Sequence, residues 1–431
     1  MKKIVCRIEE EDKYFVENAD FTINMFSKEQ YHYTFWDKNK RKLYQSGQFS
    51  NEAIDLLYIS LMVYYADRKV SRKKEDDAWT RNIKLYIPVL ELEKWNENRQ
   101  LLEKMLSFLS GDVWHFEFRK RGFNTKEEKA AKGIIRQKRK HTPNKICMLS
   151  GGLDSFIGAI DLLNEEKNVW FVGHYCGGKG VIQYQKKEIE QLETQYHLSS
   201  TQFFNFFASP LSGVEDTTRT RSFMFFAHAI ILGSSTNEDI TLYIPENGQI
   251  SLNIPLTNTR LGSSSTRTTH PYYMSMLQQL LINLGIRVKL YNPYQFKTKG
   301  EMIRQCKDPL FLKNNISKTM SCSHPDLGRY AGYSEPYHCG NCLPCIIRRA
   351  AIEFAYNEDS SLYRDKDFRS ISASENLRSF KLGIKDFERQ KINLALSVQI
   401  SGQISDNLDE YCDVYKRGMN ELKLLLDKYN G

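Results

Sequence analysis

Two groups of residues in this chain of 431 have types and spacing that do chemistry. The first is the run Ser150, Gly151, Gly152, Leu153, Asp154, Ser155. Adjacent glycines let a backbone turn sharply and bring its N–H groups close to an anion. The two serine hydroxyls add donors. The second group is thiol-rich: Cys339, Cys342 and Cys345 fall within seven residues, and Cys322 lies nearby as the obvious fourth. Four thiolates around tetrahedral zinc would make a closed, structural site with no vacant position for catalysis. His324 and His338 are alternatives to Cys322 as the fourth ligand.

The elements around the first run fit an anion-binding role. Residues 145–149 read as a short buried strand, and 156–163 as a helix with apolar positions at helical spacing. A helix following a glycine turn adds free N–H groups and the positive end of its dipole. An ordinary Ser/Gly turn with Asp154 as a helix cap is the alternative. The run is not a Walker A loop, which needs Lys-Ser/Thr after its last glycine. It matches instead the SGGxDS pattern of the pyrophosphate-binding PP-loop.

Downstream, strand and helix alternate. Strands are expected at 168–174, 201–207, 240–244 and 287–291, and helices at 182–196, 219–232, 272–284 and from 298. This alternation argues a parallel sheet with helices on both faces. Ligands of such sheets sit beyond the carboxyl ends of the strands. The run at 150–155, the stretch 174–179 and Glu246-Asn247-Gly248 all fall at such ends. The polar stretch 251–270 reads as a long loop, a candidate lid with Arg260 and Arg267 to clamp a carboxylate or phosphate.

Composition bounds the rest. Hydrophobic content is 41%, charged content 26%, and the net charge +9. These values are ordinary for a soluble protein, and no apolar run is long enough to span a membrane. The start of the chain turns acidic too early for a secretory signal, so a cytoplasmic location is expected. Nine cysteines, four of them clustered, argue reduced thiols and one metal site rather than a disulfide framework. Residues 1–118 read as a small α+β domain, with helices at 50–66 and 93–109. Residues 119–144 read as a basic linker, either a solvated helix or a surface for nucleic acid or an acidic protein. Residues 353–431 read as a helical extension.

Residues 145–352 resemble the 7-cyano-7-deazaguanine synthases, the QueC family of PP-loop ATP pyrophosphatases. The resemblance rests on 150–155 and on Cys339, Cys342 and Cys345 followed by Ile346, Ile347, Arg348, Arg349 and Ala350. Looser counterparts are His174, Tyr175, Cys176 and Gly177 with 186–190, then 218–222, and then Thr298, Lys299, Gly300 and Glu301. The chain departs in its longer spacer from Cys322 to Cys339, the absence of Pro, Gly and Asn around Arg221, the enlarged 251–270 loop, and two extra flanks. The flanks make it similar to QueC-like proteins of bacterial anti-phage systems, of the Qat type.

The resemblance implies a PP-loop (HUP-like, adenine nucleotide alpha hydrolase) domain over 145–321 and a zinc knuckle over 322–352. It implies ATP and Mg2+ bound by the loop from Ser150 through Gly151, Gly152, Leu153 and Asp154 to Ser155, with the backbone near His174 and Tyr175 against adenine. Asp154, Arg221 and Lys299 would serve catalysis, the two cations neutralising charge on the α-phosphate and departing pyrophosphate. The implied zinc ligands are Cys322, Cys339, Cys342 and Cys345. The implied reaction is adenylation of a carboxylated 7-deazaguanine, then displacement of AMP by ammonia or by an amine of a partner protein from the same defence operon. A PP-loop tRNA-modifying enzyme and a nucleotide-binding regulatory subunit without turnover are the other expectations.

Overall fold

The computed structural model describes residues 1–431 except 39, 137–141, 176–178, 212, 218, 255–266, 328–331, 334, 390–392 and 430–431. Ten strands occur among the described residues: β1 (Lys2–Arg7), β2 (Phe21–Asn24), β3 (Tyr31–Tyr33), β4 (Asn82–Val89), β5 (Val113–Lys120), β6 (Lys145–Met148), β7 (Val169–Tyr175), β8 (Phe203–Pro210), β9 (Ile240–Tyr243) and β10 (Val288–Tyr291). One sheet has the order β10-β9-β6-β7-β8-β3, parallel except for β3, which runs antiparallel to β8. The other has the order β2-β1-β4-β5 and is parallel throughout. The protein is therefore mixed α/β with parallel sheets. Successive residues of a strand face opposite sides. In β6, Ile146 and Met148 enter one core while Cys147 enters another, as a parallel sheet covered on both faces requires.

Residues 1–118 do not form the separate α+β unit expected. Their four-stranded sheet is parallel, their strand β3 completes the edge of the larger sheet, and a single core joins Ile4, Leu85 and Trp114 to Ile146, Val172 and Phe206. Helix Asn51–Lys69 starts after Ser50, whose hydroxyl accepts from the Ala53 amide at 3.3 Å. It is buried all round from Ala53 to Asp67 rather than on one side, because it touches both β4 and β8 and lies along helix Arg221–Ser234. The expected helix at 93–109 is two helices, Leu92–Glu97 and Arg99–Ser110, broken where Asn98 turns its amide back onto the Lys94 carbonyl at 2.9 Å.

The basic stretch 119–144 includes a helix, the form expected for a solvated linker. Strand β5 runs to Lys120, and a helix follows at Thr125–Arg136. Arg119 pairs with Asp12 and lies 4.4 Å from the Tyr14 ring centroid. Arg121 is held by Glu127 at 2.8 Å and Asp55 at 3.4 Å, and Lys126 by Asp37 at 2.8 Å. These three cations are paired with the fold's own acids. Lys138, Arg139 and Lys140 lie outside the described residues.

The C-terminal extension contributes helices Ile371–Glu388, Leu394–Ser401 and Leu408–Asp427. The last packs along helix Leu343–Tyr356, and its Val414, Tyr415 and Leu422 share one core with Ile346 and Ile347. No helix among the described residues is long and apolar enough to cross a membrane.

Candidate functional site

The larger sheet has a topological switch. From β6 the chain builds β7 and β8 on one side, then crosses over to β9 and β10 on the other. The crevice beyond the carboxyl ends of β6 and β9 is where open parallel sheets bind ligands. Ser150 to Asp154 leave β6 there, and Glu246 and Asn247 leave β9 there. Gly158 permits this approach: a Cβ on it would stand 2.2 Å from Pro245 Cγ, so only glycine lets helix Leu153–Leu163 lie this close to the end of β9.

The loop holds its own shape. Ser155 Oγ accepts from the Ser150 amide at 3.1 Å and lies 2.9 Å from Ser150 Oγ, which accepts from the Gly152 amide at 3.3 Å. Gly151 has φ +88°, a left-handed conformation favouring glycine. Its carbonyl accepts from the Met320 amide at 2.7 Å, tying the loop to the segment that leads into Cys322. Leu153 is a core residue at the start of the helix. Behind the loop, the Gln185 amide donates to the carbonyls of Ser150 at 3.2 Å and His174 at 3.1 Å, joining the ends of β6 and β7.

Asp154 is the centre of a buried polar cluster. One carboxylate oxygen takes the ammonium of Lys299, which is itself 4% exposed. The other accepts from the Asn247 side chain at 2.7 Å and backbone at 3.2 Å. Burial alone would raise this carboxyl, but Lys299, Glu246 and Asn247 hold it below the ordinary aspartate value. Burial and the Asp154 charge push the Glu246 carboxyl well above its ordinary value. The two carboxyls are thus driven in opposite directions, with Asp154 the one facing the Lys299 ammonium. Glu188, fully buried on the same helix as Gln185, is likewise raised well above its ordinary value by burial.

Asp154 and Lys299 thus meet, 145 residues apart in sequence. Arg221 opens the helix after β8, near enough to His174 to depress its pKa. His174 is buried, with Nε2 3.1 Å from the Ala208 carbonyl oxygen, and burial, His228 and Arg221 push its pKa well below the usual value. The backbone of His174 and Tyr175, which the resemblance sets against adenine, lies at the carboxyl end of β7. Tyr175 is partly exposed and packs edge-on against Phe207 at 5.2 Å.

Both flanks brace the cations. Asp67 of helix Asn51–Lys69 accepts from the Thr220 hydroxyl at 2.8 Å, just before Arg221. Asp67 is held in turn by Arg81 at 2.5 Å, and Arg81 by Asp112 at 2.6 Å. From the other flank, Glu421 accepts from Thr298 and Gly300 at the start of the helix carrying Lys299.

The thiol cluster resolves to four cysteines. One sulfur from each of Cys322, Cys339, Cys342 and Cys345 lies within 4.8 Å of the others. Cys339 and Cys345 sulfurs are 3.8 Å apart, Cys322 and Cys342 sulfurs 4.0 Å. A tetrahedron of zinc–sulfur bonds of about 2.3 Å has edges of about 3.8 Å, so the set fits a metal such as zinc. The amides of Cys342 and His324 each donate to a cluster sulfur at 3.3 Å. His338 stands outside the set, with Nδ1 3.8 Å from Cys345 Sγ and Nε2 3.2 Å from the Thr319 carbonyl oxygen. That geometry makes it a support for a ligand.

The loop expected at 251–270 is anchored at both roots by the 3.2 Å contact between the Ser251 and Thr269 hydroxyls. Arg260 lies outside the described residues. Arg267 donates to the Phe108 carbonyl at 2.9 Å and covers the Phe108 ring, so it is engaged with residue 108 rather than aimed at Asp154. The sequence reading gave no role to Asp67, Gln185 or Glu421, polar residues inside helices whose pattern alone reads as solvated, and it met Glu188 only within the 186–190 segment. No protein-family model, curated protein or solved structure matches the chain.

Proposed function

We propose that residues 145–321 form a PP-loop ATP pyrophosphatase domain and that the protein uses ATP to activate a carboxylate, releasing pyrophosphate. One observation carries the reading: the glycine loop and the buried Asp154–Lys299 pair meet at the switch point of a parallel sheet. A phosphate loop needs donors, a nearby cation and exclusion of water, and the three coincide there.

In the proposed reaction a substrate carboxylate oxygen attacks the α-phosphorus, and the bond to the bridging oxygen breaks. The electron pair leaves with pyrophosphate. An amine then attacks the acyl carbon, AMP departs, and the amine loses a proton. The loop 150–155 holds phosphate oxygens by exchanging the bonds that its Ser150 and Gly152 amides and its serine hydroxyls make to one another for bonds to phosphate. Lys299 and Arg221 offset the charge that accumulates on the α-phosphate and leaving group. Asp154 and Glu246 would be the residues to hold a magnesium ion, which would supply positive charge to the phosphates. The four-thiol centre takes no part in the chemistry, because four thiolates leave no open position.

The substrate class supported by the resemblance is a 7-carboxy-7-deazaguanine-like acid. The test is release of AMP and pyrophosphate by the purified protein given ATP, magnesium and 7-carboxy-7-deazaguanine, with and without ammonium. AMP formation that depends on the acid and disappears in Asp154→Asn is the expected result. ATP binding without AMP, whatever the acid or amine, overturns it.

A further inference from the structure

The amino ends of β7 and β8 border a recess of about 260 Å³, at the opposite end of the sheet from the crevice at 150–155. At about 3.3 Å per residue, Trp170 in this recess lies about 13 Å along β7 from His174 near the strand's other end. Trp170 and Phe204 form its floor, their ring centroids 5.0 Å apart. Lys42 reaches over the Phe204 ring from the helix Lys40–Ser46, its ammonium 5.8 Å from the centroid. The exposed Lys167 and the turn 199–202 complete the rim.

Two groups line this recess with donors left over. Trp170 is only 4% exposed, yet its indole N–H donates to no group among the described residues. That nitrogen is not sealed in the core, so the exposed edge of the ring includes it. Lys42 Nζ donates to the Ser200 carbonyl at 2.6 Å and the Phe203 carbonyl at 2.7 Å. An ammonium has three donors, so one remains. Both partners are uncharged, and Lys42 forms no ion pair among the described residues; Glu193, on the helix Lys179–Tyr196, is the acid whose charge reaches it. Burial lowers the Lys42 pKa, with Glu193 opposing.

The remaining lining suits an anion. No carboxylate is among its described residues. The Ser199 and Thr201 hydroxyls are 2.9 Å apart, and only one can donate to the other, which leaves a hydroxyl proton for a ligand. Asn168 and Gln202 are engaged with the backbone: Asn168 Nδ2 donates to the Thr142 carbonyl at 2.6 Å, and Gln202 Nε2 to the Lys167 and Val169 carbonyls at 2.9 and 3.0 Å. The free donors thus come from three segments, the helix Lys40–Ser46, strand β7 and the turn 199–202, with a second ammonium at the rim. A phosphate monoester has three strong acceptor oxygens and meets donors on several sides, whereas a carboxylate presents two oxygens in one plane. Sites that enclose a drug-sized ligand begin at about 300 Å³, so this one takes the phosphate end of a ligand whose remainder lies outside.

We propose that this recess binds the phosphate of a phosphate monoester, at a site separate from the 150–155 loop. The monoester belongs to a small sugar phosphate or to the 5′ end of a nucleic acid. For the longer ligand, the helix Thr125–Arg136, packed on the helix of Lys42, adds exposed Lys129 and Arg136. The site does not depend on the adenylation reading.

The experiment is calorimetric titration of the full chain, with a non-hydrolysable ATP analogue and magnesium in excess to occupy the 150–155 loop. The probes are ribose 5-phosphate and a short 5′-phosphorylated single-stranded oligonucleotide, with ribose and the 5′-hydroxyl oligonucleotide as blanks. Lys42→Gln keeps hydrogen-bond donors and removes the charge, and Trp170→Phe keeps the ring and removes the N–H. Each is expected to weaken the phosphorylated probe about tenfold, the loss of one hydrogen bond to a charged group, and to leave affinity for the ATP analogue unchanged. Lys167→Gln is expected to weaken it less, because that ammonium stays in water. Equal binding of the two phosphorylated probes supports the proposal with a small sugar phosphate as the source. Tighter binding of the oligonucleotide, lost with its 5′-phosphate, supports it with a nucleic-acid end. No binding of either probe, binding indifferent to the phosphate, or affinity unchanged in both Lys42→Gln and Trp170→Phe overturns it.

Discussion

Glu421 accepts hydrogen bonds from the Thr298 hydroxyl and, at 3.2 Å, from the Gly300 amide. A carboxylate of the last helix thus caps the helix whose first residue is Lys299. Arg417, one turn earlier, pairs with Glu301 at 2.7 Å. Gly300 leaves the necessary room, since a Cβ there would come within 2.6 Å of Glu421 Oε1. The C-terminal flank and the position of Lys299 are therefore one structural fact.

This cap makes stability depend on pH. Burial pushes the Glu421 carboxyl up to about 7, against the bonds from Thr298 and Gly300. A carboxyl raised in the folded state contributes stability in full below its ordinary pKa and loses it as pH rises through 7. The loss is on the order of 2–3 kcal/mol. Glu421→Gln keeps an acceptor and cannot ionise, so its urea-unfolding free energy should fall less between pH 5 and pH 7.5 than that of the unaltered protein. Parallel pH dependences would sink the assignment.

Asp154 and Lys299 should couple strongly. Removing one member of a buried ion pair costs about 3–5 kcal/mol, because the other is left without a counter-charge. Asp154→Ala is expected in that range, and Lys299→Met likewise. The double variant should cost less than the sum of the two, since no orphaned charge remains. A double-mutant cycle on unfolding free energies measures this, and additivity would contradict the pairing.

Where the chain's signals are local, the sequence made the structure readable. The glycine loop, the strand before it, the helix after it and the Cys339–Cys345 spacing are short-range patterns, and the structure brings all of them to their expected neighbourhoods. Asp67 with Thr220 and Glu421 with Thr298 are 153 and 123 residues apart. Nothing in periodicity distinguishes them from solvated residues on the polar side of a helix. Helix Asn51–Lys69 was legible as a helix, but its burial on every side comes from contacts with both sheets, which its own pattern does not carry. The parallel pairing of β1 with β2 and β4 was equally out of reach, because pairing direction depends on the path of the connections.

The thiol centre should hold one metal ion per chain and support the 150–155 loop at a distance. The path runs from Cys345 through His338 to the Thr319 carbonyl, and the neighbouring Met320 amide binds Gly151. Cys342→Ser is expected to lower zinc content by elemental analysis and to weaken a non-hydrolysable ATP analogue at least tenfold, although residue 342 touches no part of the loop. Metal loss with unchanged nucleotide affinity would show that the path carries no coupling.

Gly158→Ala tests the geometry that brings the two halves of the crevice together. The added methyl would meet the Pro245 ring at 2.2–2.5 Å. A ring fixed to the backbone cannot swing aside, so helix Leu153–Leu163 must retreat from β9. Overpacking of this kind costs about 1–3 kcal/mol. Asp154, one turn before Gly158, moves with the helix and loses its contact with Asn247. Weaker ATP-analogue binding should therefore accompany the lower melting temperature. Gly122→Ala is the control, because nothing stands within 4 Å of a Cβ there. It should leave both quantities unchanged, whereas a Gly158→Ala protein as stable as the Gly122→Ala protein would mean that the helix does not depend on this approach.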